Sequence, residues 1–415
     1  MASFALRAAL TAGLLLSVSA PVLAEDIRMD VLKAGTPSDP VELRNVEVVG
    51  SNLSRDELGK LFSPATTDAE RGALAGKFQA SRVSVAEMLL GDPAKGAVKL
   101  RGFKLDTIAG GKLARAGFEG IEAGPMIGGE PGSLRSGPLV IEDLDLSSVL
   151  SGLMSRSMDG VAPKAARISW RNLDLQIPDK DTSPSAVGGN LVKLSVASLE
   201  SQSVYDGAVF RSGKLRVDHI VMEFPRASEE GRALAGLGYE RVDLSATSSA
   251  SYDAAARVVK VDDLTITGAG MGGVTLRAEL GNLDLAQLAG SPELQALMFM
   301  NAQFISIGMD VKNSGILEKV LVSIANEQGK KPEELRQEAS MMVTQFTPMF
   351  MGGDPASLQV AAALGTFIRD PKSLTIGVRA KGAPIPFASM MSAGNPMSLL
   401  QLVAISASAN GETPR

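Results

Sequence analysis

Between residues 41 and 285 the chain is written in short stretches where apolar and polar residues alternate, broken at intervals by glycine. A period of two places every second side chain on one face of an extended chain, so this stretch predicts half-buried β-strands. They are expected over 41–49, 97–105, 139–146, 166–177, 191–199, 214–224, 241–252, 258–267 and 274–285. Three of the runs close on one phrase: DLDL at 143–146, NLDL at 172–175 and NLDL at 282–285, with RVDL at 241–244 a weaker relative. In a strand this phrase puts both leucines on one face and the carboxylate on the other. Its irregular spacing speaks for loose internal duplication rather than a solenoid of fixed period.

Helices are expected to follow several strands directly. Residues 54–57 read SRDE, a capping box, with Leu58, Leu61 and Phe62 forming an apolar face behind it. Runs at 147–158 and 286–300 carry apolar residues at helical spacing. Past residue 291 the periodicity becomes mainly helical. One helix carries Ile316, Leu317, Val320, Leu321 and Ile324 and stops near Gly329. A second opens on Pro332, Glu333 and Glu334; a third is capped by Asp354, with Pro355 at its first position, and ends at Asp370 and Pro371. Strands are expected again over 374–380 and 399–409. The fold class that follows is α+β: an extended, curved antiparallel sheet with short amphipathic helices and a helix-rich C-terminal part. The expected divisions are an export signal over 1–24, a β-rich repetitive region over 25–290, a helix-rich α+β region over 291–410 and a disordered tail over 411–415. Strands run into helices without linkers rich in Pro or Ser, which predicts that the two larger regions can share one sheet.

The first 24 residues fix where such a protein works. Arg7, an apolar run over 8–18, Pro21 and small residues up to Ala24 make a cleavable secretory signal, with Glu25 after the cut. The apolar run is too short to span a bilayer, and no later stretch offers a spanning length, so the mature chain is expected to be periplasmic or secreted with no transmembrane helix. With no cysteine among 415 residues, a disulfide-stapled scaffold is ruled out and stability must come from packing. The formal charge of −5 and scattered basic residues, Lys330 and Lys331 being the only adjacent pair, exclude nucleic acid and anionic lipid surfaces as partners. An outer-membrane barrel is disfavoured by the 4% aromatic content and the polar C-terminus, NGETPR.

Few residues carry candidate chemistry. Gly268, Gly270 and Gly273 match a dinucleotide fingerprint, yet a strand pattern follows them instead of a helix, so they read as a turn between antiparallel strands. His219, the one imidazole, stands beside Asp218 in a strand pattern. Catalytic zinc usually takes two or three histidines, which leaves His219 an ordinary structural residue. The acid pairs Asp143 and Asp145, Asp179 and Asp181, and Asp262 and Asp263 lack a calcium-loop pattern. A sugar cleft would want aromatic platforms beyond Trp170 and three tyrosines. No catalytic residue, cofactor or metal ligand is assigned, and the chain is expected not to be an enzyme. Ten of 18 methionines lie after residue 297, among them Met298, Met300, Met309, Met349, Met351 and Met397. Interleaved with Phe, Val and Leu, they read first as adaptable core filling and second as a pliable apolar groove, for which Met341, Met342, Met390 and Met391 are the candidates.

The strands ending in LDL, the hairpin at 261–280 (VDDLTITGAGMGGVTLRAEL) and the closing PKSLTIGV at 371–378 resemble uncharacterised exported proteins of alphaproteobacteria. More distantly, the layout is similar to the AsmA and YdgA type of periplasmic β-repeat protein. That resemblance implies an elongated curved sheet with an apolar inner channel and a role in lipid handling or envelope maintenance; it carries no functional residue over. Two non-enzymatic readings stand: a scaffold or interaction protein of the cell envelope, and a carrier of a lipid or other apolar ligand in a β-groove. The partner is accordingly a lipid or an envelope protein, and the oligomeric state is left open.

Overall fold

The structure, a computed structural model, describes residues 25–411 apart from 37–38, 63–65, 93–95, 110, 125, 128–129, 146–163, 181–188, 208, 286, 288–291 and 393–395. The export signal at 1–24 and the helix expected at 147–158 therefore lie outside the described residues, as do residues 412–415 of the tail. The chain is α+β with antiparallel strands predominating, and it divides into two compact units, Met1–Ser203 and Val204–Arg415.

Unit 1 contains β1 (Glu25–Thr36), β2 (Asp39–Ser51), α1 (Arg55–Phe62), α2 (Asp68–Lys77), β3 (Ala80–Leu90), β4 (Val98–Ala109), β5 (Lys112–Phe118) and β6 (Gly120–Ala123). It continues with a two-residue hairpin pair, β7 (Met126–Ile127) and β8 (Glu130–Pro131), then β9 (Ser133–Ser136), β10 (Leu139–Asp145), β11 (Arg167–Pro178) and β12 (Leu191–Asp206). Pairing is antiparallel throughout in the order β1, β2, β3, β4, β5, β10, β11, β12. One face is apolar and closed: Leu43, Met88, Leu100, Ile108, Leu113 and Leu144 are each under 2% exposed. Leu58 and Leu61 of α1 join that core. The capping box forms as its sequence requires. Ser54 N donates to Glu57 Oε2 at 2.9 Å, and Glu57 N donates to Ser54 Oγ at 3.3 Å.

The strands of unit 1 depart from simple alternation at fixed places. Leu43 and Val46 are both buried, with exposed Arg44 and Asn45 between them; Leu100 and Phe103 bracket Arg101 and Gly102 in the same way, and Leu105 and Ile108 bracket Asp106 and Thr107. In each case the second outward residue has a left-handed backbone: Asn45 at φ 51°, Gly102 at 63°, Thr107 at 53°, Asp143 at 52° and Asn172 at 53°. One such residue resets the strand's phase, so that the following apolar residue returns to the core. The first residue of each complete LDL phrase, Asp143, Asn172 or Asn282, is one of these. The recurring phrase marks a left-handed residue, a strand kink at Asp143 and Asn172 and a strand end at Asn282.

The kinks line up across the sheet. Arg82, Asp106, Arg115 and Glu142 stand in register on β3, β4, β5 and β10 and alternate in sign. A row of two consecutive outward residues on every strand bends a sheet, convex toward water and around the core. This geometry explains the strands that alternation does not predict. Strands β1, β3 and β5 cross these rows at Asp30 and Val31, at Ser81 and Arg82, and at Ala114 and Arg115, without a left-handed residue to mark the reset.

Unit 2 holds β13 (Val209–Glu223), α3 (Glu229–Gly236), β14 (Val242–Asp253), β15 (Val258–Gly268), β16 (Gly272–Gly281), α4 (Pro292–Asn301), β17 (Gln303–Asn313) and α5 (Ile316–Gln328). There follow α6 (Pro332–Met351), α7 (Pro355–Arg369), β18 (Ser373–Ala380), β19 (Ile385–Pro386), α8 (Phe387–Ser392), α9 (Pro396–Leu402) and β20 (Val403–Ala409). The ladder runs β13, β14, β15, β16, β17, β18, β20, antiparallel at each step. Residues beyond 291 thus add four strands to the sheet begun by β13–β16: β17, β18 and β20 in the ladder and the two-residue β19 beside β17. The strand β17 forms where the sequence reading expects none between 291 and 374: its alternation is interrupted by a register shift opposite Glu279 and Leu280. The strand expected over 274–285 stops at Gly281 because Asn282 turns left-handed at φ 55°. That expected over 399–409 starts only at Val403, after α9. Helices α5, α6 and α7 form where the periodicity places them. Gly329 closes α5 at φ 66°, and Asp354 Oδ1 accepts from Ser357 N at 2.8 Å to cap α7.

Candidate functional site

The glycines of the fingerprint match make a hairpin: Thr267 pairs with Gly273 and Gly268 with Gly272, between β15 and β16. His219 occupies the left-handed position of a bulge in β13 at φ 51°, where Asp218 and His219 together oppose Ser245. Its ring is exposed, with Nδ1 3.2 Å from Asp243 Oδ1. Asp262 and Asp263 form a second bulge, in β15; Asp262 pairs with Lys260 at 3.2 Å and Asp263 accepts from Ser249 Oγ at 2.6 Å. Asp143 is a kink residue, and Asp181 lies outside the described residues. Among the described residues no group of three or more acidic or histidine side chains has the spacing of a metal site. The buried Trp170 Nε1 finds no hydrogen-bond partner among the described residues.

Shallow depressions lie on the outward strand faces of both units. In unit 2, Gly308 and Gly377 stand side by side between Arg277 and Ser406, and the missing side chains leave a shallow hollow of about 550 Å³ rimmed by Lys260, Glu279 and Arg379. Beside it Arg277 pairs with Asp310, which also accepts from Thr375 Oγ1 at 2.6 Å. The threonine bond and the guanidinium hold the Asp310 carboxyl below its ordinary pKa. In unit 1 the matching surface is a lattice of ion pairs, Arg28 with Glu47 at 2.8 Å and Arg44 with Glu87 at 3.1 Å among them. Exposed pairs of mixed sign keep a face wet and contribute little stability individually.

The apolar side separates the units. Where unit 1 closes its core, unit 2 leaves apolar residues of β15–β17 uncovered, with Leu264 37%, Ile266 47%, Val274 37% and Ile307 42% exposed. Helix α7 shields only the far strands, packing Val360 and Ala363 on Leu374, Ala407 and Ala409. Helix α6 is held to α7 by small and polar residues: Ser340 Oγ donates to Gly365 O at 3.1 Å and accepts from Arg369 Nη1 at 2.9 Å. Its outward side carries Met342, Phe346, Met349 and Phe350, at 59, 46, 73 and 71% exposure. Spacings of four, three and one residues align them as one apolar stripe.

Of the four candidate groove residues, Met341, Met342 and Met391 lie on the surface and Met390 is half-buried. Core filling, the first reading of the late methionines, holds for Met298, which is buried, while Met341, Met342, Met349 and Met391 form exposed apolar surface. The structure does not gather the four on one element. Met341 and Met342 belong to α6, against α7, while Met390 and Met391 belong to α8, which packs on α4. The stripe's Phe346 and Phe350 are not among the candidate groove residues, because a helix with apolar residues on two sides does not say which side is buried.

A family model described only as an uncharacterized protein matches residues 265–410. That span opens inside β15 and closes after β20, so it takes in the β16–β18 strands, all the helices from α4 to α9 and the whole stripe. No curated protein matches the chain.

No helix of the described residues is long and apolar enough to cross a membrane.

Proposed function

We propose that this chain is an exported, non-enzymatic interaction protein of the cell envelope, in which unit 2 docks an apolar partner surface. The observation that carries this reading is the α6 stripe of Met342, Phe346, Met349 and Phe350, exposed on a helix already anchored by its opposite side. Contiguous exposed apolar residues mark interaction sites, and methionine lets such a surface adapt to its partner. A convex helix face suits a protein surface; it cannot by itself surround an acyl chain, and ligand sites bury most of their ligand. The bared strand residues Leu264, Ile266, Val274 and Ile307 support the second reading, a carrier holding a lipid against the sheet.

The test places a photo-crosslinking residue at Phe346 in cells and, in parallel, weighs the purified mature protein by native mass spectrometry. One envelope protein captured at Phe346, and lost with Met342→Gln and Met349→Gln, is the expected result. A lipid co-purifying in stoichiometric amount, with no protein adduct, would overturn it in favour of the carrier.

A further inference from the structure

With no thiol among its 415 residues, the chain's readily oxidised sulfur is all thioether. The described methionines differ sharply in access. Met88 at 0%, Met298 at 4% and Met29 at 8% exposure lie in packed cores, whereas Met342 and Met349 on α6 stand at 59 and 73%. Along the helix these two bracket Phe346, Met342 one turn before it and Met349 one turn after. The rings of Phe346 and Phe350, with centroids 6.5 Å apart, do not react with peroxide, so the two thioethers are the oxidisable part of the stripe. On its other side α6 is held by the bonds of Ser340 to Gly365 O and Arg369 Nη1, which involve neither sulfur.

We infer that Met342 and Met349 form an oxidation site: a hydroperoxide converts both thioethers to sulfoxides and switches off the α6 docking surface while the fold stays intact. The inference deepens the docking reading of α6 and rests on it. The step is a two-electron oxygen transfer. A lone pair on Sδ attacks the terminal oxygen of the hydroperoxide, the S–O bond forms as the O–O bond breaks, and the proton of the attacked oxygen passes to the departing one. With hydrogen peroxide the products are one sulfoxide and one water; sulfur is oxidised and the peroxide reduced. A sulfoxide is polar where the thioether was apolar, and burying its oxygen against an apolar partner without a donor is costly. One sulfoxide on each side of Phe346 breaks the stripe at its centre. Burial keeps the oxidant from Met88 and Met298, so the cores they fill keep their packing.

The test treats the mature protein, 25–415, with millimolar hydrogen peroxide and follows each methionine by peptide mass spectrometry. Met342 and Met349 are expected to gain oxygen about tenfold faster than Met88 and Met298, with the circular dichroism spectrum and urea midpoint unchanged once both are sulfoxides. In cells carrying the photo-crosslinking residue at Phe346, a peroxide pulse should reduce the protein adduct about tenfold. Met342→Leu with Met349→Leu keeps the surface apolar without sulfur and should retain the adduct through the pulse. Met341→Leu with Met391→Leu, which removes thioethers 57 and 82% exposed but off the stripe, should not. Equal oxidation of stripe and core methionines, unfolding that accompanies sulfoxide formation, or equal adduct loss in the wild type and the Met342 and Met349 leucine pair would overturn the inference. A wild-type adduct that survives the pulse overturns it and leaves the docking reading standing, whereas no adduct in untreated cells removes the docking reading and the switch with it.

Discussion

Gly365 of α7 lies so close to α6 that a Cβ on it would stand 2.6 Å from Thr344 Oγ1. Thr344 cannot swing aside freely, because its hydroxyl donates to Ser340 O at 2.7 Å. Alanine at 365 should add about 1 kcal/mol of helix propensity and lose about 1–3 kcal/mol to overpacking. Gly365→Ala is therefore expected to destabilise the wild-type background but stabilise the Thr344→Ala background. Urea unfolding of the four members of that double-mutant cycle reads the sign directly.

The left-handed kinks set a second expectation. Asn45 has φ 51° at the point where β2 resets its phase. A β-branched residue pays about 1–2 kcal/mol more in that conformation, whereas glycine pays little steric cost. Asn45→Val should lower the unfolding free energy by about that amount and Asn45→Gly by much less. Equal losses in chemical denaturation would mean that the side chain, not the backbone, matters there.

Asp310 makes stability depend on pH in a defined direction. Its pKa is lowered in the folded protein, first by the Thr375 hydrogen bond and then by Arg277. The stabilisation is fully present above the unfolded value of about 3.9 and is lost as pH falls through the lower folded value. Asp310→Asn should flatten the fall in stability below about pH 4. Urea midpoints for both proteins from acid to neutral pH check this; parallel curves would refute it.

Methionines from the two units should respond very differently to substitution. Met88 is 0% exposed in the core of unit 1, and Met349 is 73% exposed on the α6 stripe. Met88→Ala should cost about 2–5 kcal/mol and Met349→Gln less than about 0.5 kcal/mol. Thermal unfolding distinguishes them, and a large loss for Met349→Gln would place the stripe inside a packed interior.

Much of this architecture is written locally. Alternation located β2, β4, β10, β11 and β13–β15. The SRDE box, Gly329, and Asp354 with Pro355 marked the ends of α1, α5 and α7, since periodicity and capping involve only neighbours in the chain. The repeated LDL phrase was equally visible, but its meaning was not. That Asp143 and Asn172 are left-handed is a property of strands needing their next leucine on the core side, and strands β1, β3 and β5 make the same reset with no marker residue. The candidate site was legible only as a surplus of methionine. Which side of α6 is buried was decided by Ser340 meeting Gly365 on another helix. Local pattern determines which residues are extended, helical or capped. Burial and exposure depend on partners far along the chain, and the tertiary structure alone supplies them.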